Sequence, residues 1–214
     1  MIALELAQVS IQNIEVLRRF SIRIKAGAMV GLIGRNGAGK TTVMRTIMGH
    51  LRLAGGTLKF DDTDLTHASP HQRAALGIGY MPEDRGLVPE LTVEENICLP
   101  LWVSKSLTVS DRLDLVYSVL PELREMRDRR AMLLSGGQQK MVALARALSV
   151  GTKLLLLDEP FEGVAPALSQ RLSEVVGKMR GSGLAVLISQ SDLNHSRDLL
   201  DDEIVIERGA NVNS

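Results

Sequence analysis

Aromatic residues and cysteine are both scarce in this chain of 214 residues, which contains three Phe, two Tyr, one Trp and one Cys. The single cysteine, Cys98, excludes an intramolecular disulfide and a cysteine-based zinc site. We interpret Cys98 as a small buried hydrophobe. The length suits one large domain, or a domain with an inserted subdomain, and it permits a sizeable core.

An excess of charge is also missing, because Lys plus Arg total 25 and Asp plus Glu total 25, which leaves a formal net charge of 0. Proteins that bind duplex nucleic acid usually carry a basic excess, so we expect no nucleic-acid partner. No apolar run reaches the roughly 18 residues that a membrane span needs. The segment Met1–Glu5 does not resemble the start of a secretory signal. These absences predict a cytosolic chain that reaches a membrane only through a partner.

The pattern of apolar residues predicts alternating strands and helices. Short continuous apolar runs at 28–33 and 153–157 are typical of buried parallel strands. The remaining predicted strands lie at 4–9, 20–24, 57–60, 77–81, 184–189 and 203–207, and the helices lie near 92–103, 109–120, 138–149 and 166–180. This order predicts an α/β fold with a parallel core sheet.

The chain changes character after residue 83, since the stretch 84–151 has little strand signal. We therefore predict a single domain over 1–214. In it, 1–83 and 152–214 form an α/β core, and 84–151 forms a helical subdomain inserted into that core.

A glycine-rich segment, Gly34–Thr41, fits the pattern G-x-x-x-x-G-K-[ST] between a predicted strand and a predicted helix. Glycines let backbone N–H groups approach an anion, and the helix N-terminus favours negative charge. Lys40 is expected to contact the β- and γ-phosphates, and Thr41 to bind Mg²⁺. The alternative is a plain strand-to-helix turn. The residues expected to contact nucleotide here are Gly34, Arg35, Asn36, Gly37, Ala38, Gly39, Lys40, Thr41 and Thr42.

Two acids, Asp158 and Glu159, directly follow a predicted buried strand. Buried carboxylates are costly, and α/β sheets bind their ligands at the carboxyl ends of the strands. We expect Asp158 to hold Mg²⁺, directly or through water. We expect Glu159 to act as the general base that polarises the attacking water. The alternative for both acids is a cap on the turn after the strand.

A second candidate phosphate site lies at the start of the predicted helix 138–149. Ser135 and Gln138 form the S-x-x-Q pattern of a capping box, and Gly136 and Gly137 lie between them. An ordinary capped helix explains the pattern, but bare glycine backbone would also admit a phosphate group. The chain therefore has two candidate phosphate-facing helix starts and one lysine-bearing loop.

The three segments Gly34–Thr42, Leu134–Gln138 and Leu154–Glu159, in this order, resemble the Walker A, signature and Walker B motifs of ABC-transporter ATPase subunits. The resemblance covers almost the whole chain. It implies a P-loop NTPase (RecA-like) core sheet with an antiparallel β subdomain and an inserted helical subdomain. It also implies ATP and Mg²⁺ as cofactors. In this family two subunits close head to tail, so that the signature of one completes the ATP site of the other.

Two loops, Gly79–Asn96 and Asp158–Pro166, are similar to those of importers for branched-chain amino acids. The first loop implies that Glu83, where many family members have Gln, reaches Mg²⁺ and the attacking water. The alternative for Glu83 is a solvated loop acid. The resemblance implies ATP-powered amino-acid uptake at the cytoplasmic face of the inner membrane. A urea, amide or other ABC transporter is the alternative.

The resemblance also implies partners. These are a second ABC ATPase subunit, in a homodimer or a heterodimer, together with transmembrane permease subunits and, indirectly, a solute-binding protein. The helical subdomain and residues 83–103, including Leu99, Leu101 and Trp102, are candidates for contact with a permease. For Leu101 and Trp102, ordinary core packing is an equal alternative.

The chain departs from the family pattern at three places. Ser191, or Gln190 after a shift of one residue, stands where the family commonly has a His that contacts the γ-phosphate. Ile11 stands near the position where the family stacks Tyr on adenine, and Ala165 replaces a common Asp. His195 is predicted to lie too far along the chain to substitute. We hypothesise a heterodimer in which this chain's own site is slower or largely non-hydrolysing.

Overall fold

A computed structural model describes residues 1–191 and 197–212 of the chain. The strands are β1 (Ile2–Ile11), β2 (Ile14–Ile24), β3 (Met29–Ile33), β4 (Gly55–Phe60), β5 (Thr63–Asp64), β6 (Ile78–Met81), β7 (Leu154–Asp158), β8 (Ala185–Gln190), β9 (Asp202–Glu207) and β10 (Ala210–Asn211). The α-helices are α1 (Lys40–Met48), α2 (Pro70–Ala75), α3 (Val93–Trp102), α4 (Val109–Val119), α5 (Glu122–Glu125), α6 (Gly136–Val150) and α7 (Pro166–Gly177). Short 3₁₀ turns occupy Ala131–Leu133 and Arg197–Leu199.

The larger sheet positions the predicted site. Its strand order is β10-β9-β3-β8-β7-β6, and the neighbouring strands from β9 to β6 are parallel. Every residue of β7 is buried, which explains its continuous apolar sequence. Parallel strands bring their carboxyl ends to one edge. The loop after β3 and the acids after β7 therefore meet at the same edge of the sheet.

The smaller sheet is antiparallel, with the order β2-β1-β4-β5. Its apolar face packs against helix α1 in one shared core. This core contains Leu17 and Phe20 of the sheet and Val43, Met44 and Ile47 of the helix. Helix α1 also contacts β7 and β8 of the larger sheet. The helix that follows the glycine-rich loop is therefore clamped between the two sheets.

A second core joins the helices to the other face of the larger sheet. Ile97, Val116 and Leu144 from the helices pack with Leu157 and Ile188 from the strands. Helix α6 approaches β6 closely at Gly79, where an added Cβ would lie 2.1 Å from the carbonyl oxygen of Ala147. This contact holds α6, the helix that begins within the signature segment, directly against the sheet.

The predicted fold class is confirmed: a parallel α/β core, an antiparallel β subdomain and helices between β6 and β7. Helix α6 begins at Gly136, before the predicted 138, because the capping box starts it at Ser135. The elements β5, β10 and α5 were missed, since each has at most four residues. The division at 84–151 stays a prediction. Among the described residues, no helix is long and apolar enough to cross a membrane.

Candidate nucleotide-binding and hydrolysis site

The loop 34–39 joins the end of β3 to the first turn of α1. Gly39 is the N-cap of α1 with a φ of 113°, a conformation that favours glycine, and no side chain caps the helix. A Cβ added at Gly37 would meet no atom within 4 Å from the described part of the chain, apart from the adjacent residues, so the backbone at Gly37 is open there. An uncapped helix start beside open backbone is suited to binding an anion.

Lys40 is buried at the base of this loop. Its Nζ donates hydrogen bonds to the carbonyl oxygens of Gly34, at 2.6 Å, and Arg35, at 3.2 Å. The same Nζ lies 3.0 Å from Oε1 of Glu159. The ammonium group of Lys40 is thus held by its own loop and paired with the acid that the sequence predicts to be the base.

Asp158 is fully buried at the end of β7. Its Oδ1 accepts a hydrogen bond of 2.6 Å from Ser189 Oγ, and its Oδ2 accepts one of 3.3 Å from Tyr80. Burial raises the pKa of Asp158, whereas the hydrogen bonds from Ser189, Thr41 and Tyr80 oppose that rise. Burial, with a contribution from Asp158, raises the pKa of Tyr80 far above its ordinary value, so this phenol stays a donor.

Glu159 is nearly as buried as Asp158, and its φ of 47° lies in the left-handed region. Its backbone N–H donates to Ser189 Oγ at 3.0 Å. Burial raises the pKa of the Glu159 carboxyl, and the ion pair with Lys40 opposes the rise. A carboxylate whose basicity is increased by burial is suited to accept a proton from water.

The side chains with oxygen atoms around Asp158 are suited to bind a magnesium ion. The Thr41 side chain lies close enough to Asp158 to lower the pKa of that carboxyl. Glu83, an exposed loop acid, lines the same cavity as Thr41 and Lys40. Mg²⁺ prefers oxygen ligands, and in nucleotide sites it uses one or two carboxylates together with substrate phosphates. Thr41, Asp158 and Glu83 are therefore suitable ligands for Mg²⁺ bound with a nucleotide.

The glycine-rich loop, Lys40 and Glu159 surround a cavity of about 360 Å³. A neighbouring cavity of about 650 Å³ lies between Arg45, Tyr80 and Arg146. Thr41 and Glu83 line both cavities. The structure therefore brings together the glycine-rich loop, the acids at the end of β7 and Glu83. The sequence analysis predicted these site residues from three separate segments of the chain.

The signature residues lie apart from this cavity. Ser135 Oγ accepts from the backbone N–H of Gln138 at 3.2 Å, and Gln138 Oε1 accepts from Ser135 N at 3.0 Å. This is the capping box that the sequence predicts. Ser135 and Gly136 are exposed, and neither lines the cavity around Lys40. The start of α6 is therefore free to face another molecule.

Two arginines, which sequence reasoning missed, tie the Glu83 loop to helix α6. Arg146 donates hydrogen bonds of 2.7 Å to the backbone carbonyls of Arg85 and Gly86. Arg85 donates to Gln139 Oε1 at 2.8 Å. Only backbone carbonyls receive the bonds from Arg146, so no sequence motif signals that contact. The loop that carries Glu83 is thus anchored on the helix that begins with the signature.

The predicted substitutes for the family His have different environments. Ser191 is exposed just beyond β8. Gln190 is buried at the end of that strand, and its backbone carbonyl accepts from Gly34 N at 3.1 Å. His195 lies outside the described residues. Neither Ser191 nor Gln190 lines the cavity around Lys40, as far as the described residues define it.

The three apolar candidates Ile11, Leu101 and Trp102 lie in different environments. Ile11 is exposed and, as far as the described residues define the cavity, does not line it, whereas Val16 of β2 does. Leu101 belongs to the core, which favours the packing alternative for that residue. Trp102 is 56% exposed and remains available for contact with another protein.

A parallel sheet that ends in a glycine-rich loop, a buried lysine and paired acids defines the nucleotide-binding core of a P-loop NTPase. Comparisons with known proteins give the family. A family model described as ABC transporter matches residues 17–162. The chain therefore belongs to the ABC transporter family, as one of its ATPase subunits.

Two curated relatives are similar over most of their length. One is BraG, the high-affinity branched-chain amino acid transport ATP-binding protein of Pseudomonas aeruginosa. It is 34% identical over 197 residues, which is 92% of this chain and 84% of BraG. The other is LptB, the lipopolysaccharide export system ATP-binding protein of Escherichia coli. It is 33% identical over 196 residues, which is 91% of this chain and 81% of LptB. The two are similarly close in sequence but are named for the transport of different substrates, branched-chain amino acids and lipopolysaccharide.

Solved structures agree with this assignment. The ADP conformation of the ATP-binding cassette MJ1267 has a TM-score of 0.82 and 28% identity, and the match covers 99% of this chain and 89% of that one. The dimeric cassette MJ0796, bound to ADP and Pi, has a TM-score of 0.89 and 22% identity, and the match covers 100% of this chain and 97% of that one. The second match shows a shared fold. The predicted resemblance to ABC ATPase subunits is confirmed.

Proposed function

We propose that this chain is the ATP-hydrolysing subunit of an ABC importer that takes up amino acids of the branched-chain type. The observation that carries the proposal is the cluster of Lys40, Thr41 and Glu159 around one cavity, with Asp158 buried directly behind them. The cargo rests on the similarity to BraG and on the loop that contains Glu83. We place the chain at the cytoplasmic face of the membrane, attached through permease subunits.

In the proposed mechanism, the backbone of the loop 34–39 and the start of α1 bind the phosphates of ATP. Lys40 moves its ammonium group from Glu159 to the β- and γ-phosphates. Glu159, released from that pair, accepts a proton from the attacking water at a carboxylate oxygen. Thr41, Asp158 and Glu83 would hold Mg²⁺, which when bound neutralises charge on the phosphate oxygens.

A second ATPase subunit completes the proposed site. The exposed start of α6, with Ser135, Gly136, Gly137 and Gln138, faces the nucleotide of that partner in a head-to-tail dimer. ATP binding closes the dimer and hydrolysis reopens it. The permease subunits convert this motion into transport. A solute-binding protein delivers the amino acid on the far side of the membrane.

A second candidate function is the ATPase of an exporter, which the similarity to LptB favours. A urea or amide transporter remains within the first proposal as a change of cargo. The exposed position of Ser191 favours a heterodimer in which this chain's site turns over more slowly than its partner's.

The test is reconstitution of the chain with its permease subunits, in vesicles with ATP on the ATPase side. Accumulation of radiolabelled leucine that stops in a Lys40→Ala complex supports the proposal. Without leucine transport, ATPase activity that rises with lipopolysaccharide in the membrane supports the exporter instead. Full ATPase activity of the chain alone, equal to that of the mixed complex, contradicts the slow-site heterodimer.

A further inference from the structure

Ser189 is a fully buried residue of β8 that the sequence did not single out. Its hydroxyl donates to Oδ1 of Asp158 at 2.6 Å and accepts from the backbone N–H of Glu159 at 3.0 Å. A serine hydroxyl has one proton to donate and lone pairs to accept. The one hydroxyl group therefore donates a hydrogen bond to Asp158 and accepts one from Glu159, two consecutive acids of the site.

The position of Ser189 in the sheet explains this double contact. Asp158 and Ser189 are the last register pair between β7 and β8, so the regular ladder ends at Asp158. The next residue, Glu159, has a φ of 47°, a backbone conformation that residues other than glycine rarely adopt. A buried N–H group must find an acceptor, and Ser189 Oγ supplies it. The hydroxyl thus supports the backbone turn that directs Glu159.

The same hydroxyl restrains the carboxylate of Asp158. Tyr80 donates a hydrogen bond of 3.3 Å to the other oxygen, Oδ2. Each carboxylate oxygen has two lone-pair positions, so these bonds leave acceptor capacity for a metal ion. A carboxylate restrained from both oxygens has a defined orientation before any ligand arrives, which reduces the entropy lost on binding.

We propose that Ser189 is a positioning residue of the hydrolytic site. One hydroxyl orients Asp158 toward Mg²⁺ and fixes the backbone turn that carries Glu159. The inference rests on the proposed roles of these two acids. It predicts that the hydroxyl matters for the binding of the metal with the nucleotide, and not for the binding of the nucleotide alone at the glycine-rich loop.

The test measures the affinity of the purified full chain for AMP-PNP by calorimetry, once with Mg²⁺ and once with EDTA. The quantity compared is the magnesium ratio, the affinity with Mg²⁺ divided by the affinity with EDTA. Ser189→Ala and Ser189→Val should lower this ratio by about tenfold, as expected for loss of a group that orients a metal ligand. Ser189→Thr, which has the shape of Val but keeps the hydroxyl, should restore it. Affinity in EDTA should not change.

A matched control is Ser149→Ala, because Ser149 is also fully buried and its hydroxyl bonds to the carbonyls of Ile97 and Arg146. This variant should lose stability and keep the magnesium ratio. If Ala or Val at position 189 prevents folding, Ser189→Cys replaces them. Its thiol is a weaker donor of similar size, so an intermediate ratio supports the proposal and a wild-type ratio overturns it.

A wild-type magnesium ratio in Ser189→Ala and Ser189→Val, with only a lower melting temperature, overturns the inference, since that result means a purely structural role. Failure of the proposed function gives a different result. In that case the wild-type chain does not bind AMP-PNP, or Lys40→Ala binds it equally well, whatever residue stands at position 189.

Discussion

Nζ of Lys40 lies 3.0 Å from Oε1 of Glu159, and both side chains are almost completely buried. The charge of Lys40, the proposed phosphate ligand, is therefore balanced by the carboxylate of Glu159, the proposed general base. Each charge would be costly to bury alone. Under the proposed mechanism, a phosphate group that takes Lys40 as its partner frees Glu159, so that phosphate binding and activation of the base are linked through one ion pair.

Replacement of Lys40 by Ala should weaken ATP binding by roughly ten- to a hundredfold, because the phosphates lose a charged donor. Calorimetric titration of the full chain with ATP in EDTA measures this effect without hydrolysis. Lys178→Ala, which removes an exposed lysine at the end of α7, is the control and should bind as wild type does. Unchanged affinity in Lys40→Ala would show that the loop does not bind phosphate.

Replacement of Glu159 by Gln should preserve ATP binding and slow turnover by about 10²- to 10⁴-fold, the usual contribution of a general base. Because ATP is then not consumed, a closed dimer should accumulate, which size-exclusion chromatography with ATP detects. Glu174→Gln removes an exposed acid of α7 and should leave turnover unchanged. Normal turnover in Glu159→Gln would exclude Glu159 as the base.

Replacement of Arg146 by Met should loosen the loop that carries Glu83, since the carbonyls of Arg85 and Gly86 lose their donors. Amide hydrogen exchange over residues 83–87 should be faster by at least about tenfold, equivalent to the loss of one to two kcal/mol of local stability. Mass spectrometry of peptides from this loop gives the rate.

The control for Arg146 is Arg112→Met. Arg112 donates to the carbonyls of Leu148 and Ser149 at the end of the same helix. This variant should speed exchange after the C-terminus of α6 and not in the loop 83–87. Equal exchange in that loop for wild type and Arg146→Met would refute the anchoring role.

Replacement of Arg73 by Met should lower the free energy of unfolding by about 3 kcal/mol, because buried carbonyls lose a charged donor. Arg73 is buried, and its guanidinium bonds to the carbonyls of Thr46 and Ile47 at the end of α1 and to others before α2. Urea unfolding measures the change. Arg52→Met removes an exposed arginine and should have almost no effect. Equal free energies of unfolding for Arg73→Met and Arg52→Met would show that the hydrogen bonds of Arg73 do not stabilise the end of α1.

Local features of the site were predictable from the sequence because their interactions join residues that are close along the chain. The capping box pairs Ser135 with Gln138, three positions away, and both of its hydrogen bonds are present. The glycine-rich loop likewise lies between a strand and a helix, as its pattern requires. The buried strand before Asp158 was evident from its run of leucines, which is typical of a strand covered on both faces.

Contacts between distant residues were not predictable in the same way. Ser189 reaches Asp158 only because β8 is the neighbour of β7 in this register, and a slip of one residue would turn its side chain to the other face. Val16 lines the cavity, where the sequence had favoured Ile11, because the position of β2 over the loop depends on how the two sheets pack around α1.

The sequence by itself determined the class of the protein: the order of its phosphate loop, signature and strand-end acids predicts an ABC ATPase subunit, and these signals come from short segments with local physical causes. Only the tertiary structure decided which charges meet. The Lys40–Glu159 ion pair, the hydroxyl of Ser189 between two acids, and the arginine that anchors the Glu83 loop all depend on strand order and helix packing. Those arrangements follow from burying a shared core, and no short stretch of sequence encodes them.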